Sequence, residues 1–356
     1  MSLNAPPTRE DGGVTLAGPE PAAYLGGQVA RDLVEVSDDP SVLDRGGRWA
    51  VAVPYDGPPV FARFRDWGAG VPDDVAGAWC GPAAWSTSLD RDGYVAAVER
   101  IREHIAAGEV YQANVCRVLS AALPDPARAD VGGLHALLVR GNPAPHSGMI
   151  RIPGVTEVAS ASPELFLARQ GDVIETGPIK GTGRTAQDLL PKDRAENVMI
   201  VDLMRNDLSR VCRTGSVTVP ELLAEEEHPG LVHLVSRVRG VLAPDATWST
   251  ILGATFPPGS VTGAPKLAAM ECIAEVETAS RAIYCGAVGW VDADAGTAGL
   301  GVAIRTFWVS DGEVRFGTGA GITWSSDPLG EWHETELKAD RLVAIAGGSW
   351  QGRMPA

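Results

Sequence analysis

The region between Tyr284 and Phe316 restricts the fold more than any other part of the sequence. It contains three runs that alternate in hydropathy and are joined by Asp/Gly-rich turns: Tyr284–Val291, Ala298–Val309 and Glu313–Phe316. Alternation with a period of two is typical of half-buried strands, and short Asp-Gly turns connect antiparallel neighbours. The region therefore predicts an antiparallel meander.

Elsewhere in the chain, strands and helices do not alternate strictly. Short apolar runs broken by Gly and Pro cluster between Gly148 and Thr176, which is a strand-rich pattern. Helical patterns occupy Asp90–Ala107 and the segments that follow Pro191 and Ser326. A doubly wound parallel sheet would need regular alternation of strand and helix. We therefore predict an α+β fold with large antiparallel sheets.

The domain organisation is predicted to be simple. No linker is visible between Asp90 and Ala346, and 356 residues suffice for one large domain or two ordinary ones. The predicted boundaries are a disordered leader at 1–15, a single domain at 16–346 with an amino-terminal portion at 16–85 and a core at 86–346, and a tail at 347–356.

The charge balance limits the possible partners. The formal net charge is -15 and the isoelectric point is near 4.8, which argues against nucleic acid or an anionic membrane surface. No run approaches the roughly 18 apolar residues of a membrane span. Five scattered cysteines without paired spacing are consistent with reduced thiols, so we predict a cytoplasmic protein.

Lysine is rare in this chain. The 30 basic residues include four lysines, namely Lys180, Lys192, Lys266 and Lys338, and arginine serves elsewhere. Arginine cannot be deprotonated in a protein, whereas lysine becomes a nucleophile once its pKa is lowered. Lys180 lies in the Pro/Gly-containing segment Pro178–Thr182 and is a candidate nucleophile. The alternative is a solvated loop lysine.

Two helical segments each carry a pair of acids three residues apart. The pairs are Asp193 with Glu196 and Glu331 with Glu334. This spacing puts both carboxylates of a pair on one helical face, and oxygen donors without His or Cys suit Mg²⁺. Glu196 shares its predicted stripe with Ile200 and would need a partner or a metal if buried. The alternative is two solvated helix faces.

Other polar residues in apolar surroundings are open to two interpretations. Arg305 in an apolar run needs a carboxylate partner, which is either a ligand or a structural ion pair. Gly317–Gly321, placed after a strand, can form a nest of backbone N–H groups for an anion. His233 and Gln112 are each either satisfied core side chains or members of a site.

Eight short motifs occur in order between residues 85 and 346. They are Ser162-Pro163-Glu164, Pro178-Ile179-Lys180-Gly181-Thr182, Asp193-Arg194-Ala195-Glu196-Asn197, Val232-His233-Leu234-Val235-Ser236, Gly259 to Lys266, Ile304-Arg305-Thr306, Gly319-Ala320-Gly321 and Glu331 through Thr335. Through this set the chain resembles the chorismate-utilising enzymes, which include anthranilate, isochorismate, salicylate and aminodeoxychorismate synthases. The resemblance implies an antiparallel β-sandwich with helices packed outside.

The resemblance also implies roles for individual residues. Glu196 and Glu334 look like Mg²⁺ ligands, assisted by Asp193 and Glu331, with the metal holding the ring carboxylate of chorismate. The implied substrate-binding residues are Arg305, Gly319, Gly321, Thr262 and Lys266, of which Arg305 and the two glycine amides would hold the enolpyruvyl carboxylate. The implied catalytic residues are Lys180, Glu164 as the acid that protonates the departing C4 hydroxyl, and His233.

Two positions bear on which reaction of the family is expected. Members that add water resemble one another in a lysine where this chain has Gln112, and aminodeoxychorismate synthases carry a lysine at the position of Lys180, where anthranilate synthases carry a small residue. The resemblance therefore implies a Mg²⁺-dependent transferase, aminodeoxychorismate synthase component I, that converts chorismate and ammonia to 4-amino-4-deoxychorismate for p-aminobenzoate and folate formation.

A partner and three alternatives accompany this expectation. The chain has no glutaminase motif with a nucleophilic cysteine, so a glutamine amidotransferase subunit is the expected ammonia source. The amino-terminal portion is shorter than in typical members, and no tryptophan-binding pattern is recognisable. The alternatives are anthranilate synthase component I, another chorismate aminase of secondary metabolism, and a non-catalytic chorismate-binding subunit.

Overall fold

In the computed structural model, the described residues are 19–183, 191–228 and 231–350, with the side chains at 182, 183, 191–193, 227, 228, 231, 233 and 350 left out of the description. The described helices are α1 Arg91–Ala106, α2 Val131–Gly141, α3 Pro191–Ser209, α4 Trp248–Thr255, α5 Lys266–Val276 and α6 Pro328–Ala346. The described strands are β1 Ala22–Leu25, β2 Gln28–Ser37, β3 Arg48–Val53, β4 Val60–Ala69, β5 Ala84–Thr87, β6 Gln112–Ala122, β7 His146–Ile152, β8 Thr156–Ser162, β9 Leu165–Gln170, β10 Val173–Gly177, β11 Ile179–Gly183, β12 Thr218–His228, β13 Leu231–Val241, β14 Gly263–Ala264, β15 Ala287–Asp292, β16 Thr297–Val302, β17 Thr306–Ser310, β18 Glu313–Ile322 and β19 Ser349–Trp350.

The strands form a large antiparallel sheet with two halves. The first half runs β13-β10-β9-β16-β15-β3-β4-β2. The second half continues through the β2–β1 pair as β1-β7-β8-β17-β18-β6. β11 and β12 pair with β13, while β5 and β14 pair with β6. The predicted α+β class with antiparallel strands is confirmed.

The meander predicted near the carboxyl end is only partly correct. β15 pairs with β16 and β17 pairs with β18, but β16 pairs onward with β9 and β17 with β8. The predicted run Ala298–Val309 is therefore two strands, separated at residues 303–305, where the chain passes from the first half to the second. Arg305 lies in this break with a φ of 52° rather than in a strand.

The largest hydrophobic core draws on both halves of the sheet. It includes Val51 and Phe61 from the first half and Ile150 and Val158 from the second, together with the buried faces of α3 and α4. A second core lies under α2 and α6 and includes Phe307. Burial of apolar surface between the halves, at about 25 cal/mol per Å², is the main term that holds them together.

Side-chain caps begin the helices that were predicted most clearly. The Asp90 side chain accepts a hydrogen bond from the Gly93 N–H at the start of α1. The Asp327 side chain accepts one from Gly330 at the start of α6, where Pro328 is the first helical residue. Both caps satisfy backbone donors that have no partner inside the helix.

The buried face of α3 differs from the predicted stripe by one position. The prediction placed Glu196, Ile200, Leu203 and Asp207 on one inward face. Ile200 and Asp207 are buried as predicted, but Asn197 is fully buried where Glu196 is only partly buried. The Asn197 side chain donates to the Leu234 carbonyl at 3.2 Å and accepts from the Ser236 hydroxyl at 2.5 Å, so these hydrogen bonds satisfy a buried amide.

The structure describes only a short part of the predicted termini. The predicted leader at 1–15 lies outside the described residues. The predicted tail begins at 347, but Ser349 and Trp350 form β19, which runs parallel to β5. No described helix combines the length and the low charge needed to cross a membrane.

Candidate active site

The candidate site lies where two connections pass between the halves of the sheet. β8 leads to β9 through Glu164, and β16 leads to β17 through Arg305. The two connections are hydrogen-bonded side by side: the Val302 N–H donates to the Glu164 carbonyl and the Ala161 N–H donates to the Arg305 carbonyl, both at 3.0 Å. An acid and a guanidinium therefore come from adjacent backbone segments.

Lys180 extends from β11 toward residues of the second half. Its Nζ donates to the Ser260 carbonyl at 3.3 Å. It also lies 3.7 Å from the position that a Cβ at Gly321 would occupy, and that position overlaps the Gln112 amide. A Cβ at Gly321 would displace the Gln112 amide, so glycine leaves room there for both the lysine amine and Gln112. These contacts bring Lys180, Gly321 and Gln112 together.

Three buried polar atoms around this lysine have no hydrogen-bond partner in the described part of the chain. They are Gln112 Oε1, Glu164 Oε1 and Ser260 Oγ. Almost all buried polar atoms in native proteins are paired, because an unpaired one loses its water without compensation. Three such atoms beside one amine indicate a site built for a polar ligand.

Glu164 has the environment of a general acid. It is buried, and burial raises the pKa of its carboxyl to about 7, although the Lys180 charge acts in the opposite direction. An acid with a pKa near the working pH is both substantially protonated and able to release its proton.

Arg305 is mostly buried and has no ion-pair partner among the described side chains. Burial lowers the pKa of its guanidinium, with no carboxylate opposing that effect. The structural ion pair considered from the sequence is therefore not seen within these residues. A desolvated guanidinium without a partner suits a carboxylate ligand, which it can bind through two parallel hydrogen bonds.

Gly319 and Gly321 lie inside β18, so the predicted nest after a strand is wrong. They pair with Cys116 and Asn114 of β6, because the ladder continues to Ile322. β17 pairs with β18 no further than Phe316, which leaves the other edge of this glycine segment without a strand neighbour in the described fold. The edge offers backbone groups; the Gly319 carbonyl accepts from Lys338 Nζ at 3.0 Å.

The predicted acid pairs lie on α3 and α6. Glu331 is buried, whereas Glu334 is 43% exposed and accepts from Lys338 at 2.7 Å. The side chain of Asp193 lies outside the described residues. Among the described side chains, the carboxylate oxygens of Glu196, Glu331 and Glu334 do not all lie within 4.8 Å of one another. Their oxygen-only chemistry nevertheless fits Mg²⁺, which binds few carboxylates and retains several waters.

Three further predicted residues have local partners or lie outside the description. Lys266 Nζ donates to Asp207 Oδ2 at 2.6 Å and to the Thr255 carbonyl at 3.1 Å. The Thr262 hydroxyl donates to the Pro258 carbonyl at 3.1 Å, so it closes a turn. The backbone of His233 pairs with Thr182 of β11, and its side chain is not described.

Sequence reasoning left open one member of the site and missed another. Gln112 was considered either a core amide or a site residue, and Ser260 was not singled out. A polar amide at the start of an apolar strand was the only signal for Gln112. Ser260 lay in a Gly/Ser-rich stretch, where hydroxyls are common in turns.

Residues 80–344 match a family model whose description is chorismate binding enzyme. The chain belongs to this family. The matched region coincides closely with the segment from 85 to 346 that carries the ordered motifs, so the recognition from sequence is confirmed. Members of the family bind chorismate, which carries two carboxylates and therefore suits a site with an unpaired arginine.

Similar proteins carry two different names. Anthranilate synthase component 1 of Streptomyces coelicolor is 41% identical over 275 residues, covering 74% of this chain and 53% of that protein. Aminodeoxychorismate synthase component 1 of Klebsiella aerogenes is 37% identical over 323 residues, covering 87% of this chain and 69% of that protein. The chain thus spans about half the length of the first relative. The level of sequence identity does not distinguish between the two activities.

Solved structures share the fold. Anthranilate synthase component I from Streptococcus pneumoniae aligns with a TM-score of 0.76 and 23% identity, covering 94% of this chain and 95% of that chain. The menaquinone-specific isochorismate synthase from Escherichia coli aligns with a TM-score of 0.76 and 19% identity, covering 94% and 92%. The predicted architecture, a large antiparallel sheet with helices outside, is therefore confirmed.

Proposed function

We propose that the protein is the synthase component that aminates chorismate at C4 to give 4-amino-4-deoxychorismate, a precursor of p-aminobenzoate. The observation that carries this proposal is the position of the Lys180 amine beside the unpaired polar atoms of Gln112, Glu164 and Ser260. A lysine in this position supplies a nucleophile that a small residue would not.

The proposed reaction uses Lys180 and Glu164 in sequence. The neutral amine of Lys180 attacks C2 of the chorismate ring, both conjugated ring double bonds shift, and the C4 hydroxyl leaves as water with the proton of Glu164. Ammonia then attacks C4, both double bonds shift back, and the C2–N bond breaks to release the lysine amine. Splitting one displacement into two through a covalent intermediate is the general logic of nucleophilic catalysis.

Other residues would hold the substrate's two carboxylates. Arg305 suits the enolpyruvyl carboxylate because its guanidinium is desolvated and unpaired within the described residues. Glu196 and Glu334, with Asp193 and Glu331, would hold a Mg²⁺ ion, which supplies positive charge for the ring carboxylate. A glutamine amidotransferase partner would supply ammonia, and ammonium salt can replace that partner in an assay.

The deciding experiment is identification of the product. The purified chain receives chorismate, Mg²⁺ and ammonium salt, and products are separated by chromatography with mass detection. The proposal requires the 4-amino compound. Anthranilate as the product would overturn the proposal in favour of anthranilate synthase component I, the second candidate, which the Streptomyces coelicolor relative supports.

Two variants of Lys180 distinguish a nucleophilic role of the side chain from a role of its positive charge alone. Lys180→Met keeps the length of the side chain without the amine, and Lys180→Arg keeps a donor and a charge that cannot be deprotonated. We expect both to lose C4 amination by about 100-fold or more while still binding chorismate. Substantial amination by Lys180→Arg would show that the position contributes charge alone.

A further inference from the structure

A second cluster of metal-binding side chains lies apart from the residues of the proposed reaction. His104 near the end of α1, Glu109 in the following loop and Cys272 on α5 place their ligand atoms within 4.8 Å of one another. We propose that this cluster is a site for a zinc-type divalent ion. The proposal does not depend on the proposed function.

The donor types select the ion. A thiolate, an imidazole and a carboxylate together suit Zn²⁺ and similar borderline ions, whereas Mg²⁺ and Ca²⁺ prefer oxygen alone. Zinc sites commonly have four ligands, so three side chains leave one position for water. The mixed donor set thus distinguishes this cluster from the all-carboxylate pairs on α3 and α6.

The His104 ring is oriented from its opposite side. Its Nε2 is hydrogen-bonded to Glu275 Oε2 at 3.0 Å, and the other oxygen of Glu275 accepts from Arg100 Nε at 2.6 Å. A metal-bound histidine usually donates its second N–H to a carboxylate, which fixes the tautomer and the ring orientation. Glu275, itself held by Arg100, therefore presents His104 Nδ1 to Glu109.

Zinc binding requires a small movement of the Glu109 side chain and releases protons. His104 Nδ1 and Glu109 Oε2 are 2.5 Å apart, whereas two ligands of a tetrahedral zinc ion are about 3.3 Å apart. The Glu109 side chain is 56% exposed in a loop, so its carboxylate can move away from His104 to the separation that a zinc ion requires. The ion replaces the proton shared by Nδ1 and the carboxylate, and it displaces the Cys272 thiol proton as the sulfur becomes a thiolate.

The site would tie together two segments that lead to the active site. Glu109 precedes Gln112 of β6 by three residues, and α5 follows the turn that contains Ser260. An ion that bridges the end of α1 and α5 constrains both segments only in the folded state. Zinc should therefore raise the midpoint of thermal unfolding, because a ligand that binds the folded state stabilises it.

Calorimetry on the full chain tests the site. Tag-free protein is treated with a chelator, saturated with Mg²⁺ to occupy oxygen sites, and titrated with Zn²⁺ in buffers of different ionisation enthalpy. We expect one zinc ion per chain, with proton release, and at least tenfold weaker binding by Cys272→Ser and by Glu109→Gln. Glu109→Gln changes an exposed side chain, so it tests the site even if Cys272→Ser fails to fold.

Two matched controls and a spectroscopic probe complete the test. Cys80→Ser removes an exposed thiol and Glu99→Gln an exposed carboxylate of α1, both outside the cluster, and both should bind zinc as the native chain does. With Co²⁺ as the probe, a thiolate charge-transfer band should be present in Cys80→Ser and absent in Cys272→Ser. No zinc binding by the native chain, or binding unaltered by Glu109→Gln, would overturn the proposal.

Discussion

Replacing Glu164 with Gln should show how much the buried carboxyl of Glu164 lowers the free energy of unfolding. Glu164 is 3% exposed, and burial raises the pKa of its carboxyl from 4.5 to about 7. Each pH unit between these values is worth about 1.4 kcal/mol, so the ionised carboxylate destabilises the folded state by about 3 kcal/mol. Gln has a similar shape and no charge, so the variant avoids this cost.

The pH range of the effect follows from the two protonation states. Below pH 4.5 the carboxyl is protonated in the folded and unfolded chains, and it contributes no difference. As the pH rises from 4.5 to about 7, the unfolded chain loses the proton while the folded chain keeps it, so the native chain loses stability. Above pH 7 both states are ionised, and the loss stays at about 3 kcal/mol.

Urea unfolding of both proteins at pH 5 and pH 8 measures this difference. The free energy of unfolding of Glu164→Gln minus that of the native chain should increase by about 2.5 kcal/mol between the two pH values. Subtracting the two proteins removes the contribution of the other titrating groups.

The same variant separates stability from catalysis. Glu164→Gln cannot donate a proton to the C4 hydroxyl, so its kcat should fall by about 10²- to 10⁴-fold. A stability difference that is independent of pH would refute the burial argument. A near-native kcat would refute the assignment of Glu164 as the acid.

Three further substitutions test the rest of the site. Arg305→Lys keeps the charge but loses the planar pair of donors, so KM for chorismate should rise about tenfold or more in steady-state assays; an unchanged KM would exclude carboxylate binding there. Gly321→Ala places a Cβ against the Gln112 amide, and activity should fall about tenfold or more with only a small change in Tm; full activity would show that this contact can relax. Glu334→Gln should weaken the dependence of substrate binding on Mg²⁺ in titration calorimetry, and an unaltered dependence would exclude this residue as a ligand.

The elements that could be predicted from the sequence are those with local signals. Asp90 and Asp327 mark the starts of α1 and α6, because a cap is satisfied by backbone groups within the next three residues. The break at 303–305 has no such signal. The strands on either side of it are both buried, so the apolar run continues across a point where the chain changes from one half of the sheet to the other.

The site could be predicted in part for a similar reason. Lys180 was identified by its rarity in an arginine-rich chain, which is a property of composition. The unpaired states of Gln112 and Ser260 depend on which strands face them, and spacing along the chain does not contain that information. On α3 the predicted inward face was shifted by one residue because the buried amide of Asn197 resembles a surface side chain in sequence.

The two connections between the halves explain why the site requires the complete fold. Glu164 and Lys180 come from segments attached to the first half, whereas Gln112 and Gly321 belong to strands of the second. Arg305 lies in the connection itself, next to that of Glu164. The Lys180 amine and the Gln112 amide belong to different halves, so these polar groups meet only when the halves pack together. Closure of the hydrophobic core thus stabilises an arrangement of polar groups that would be unfavourable alone.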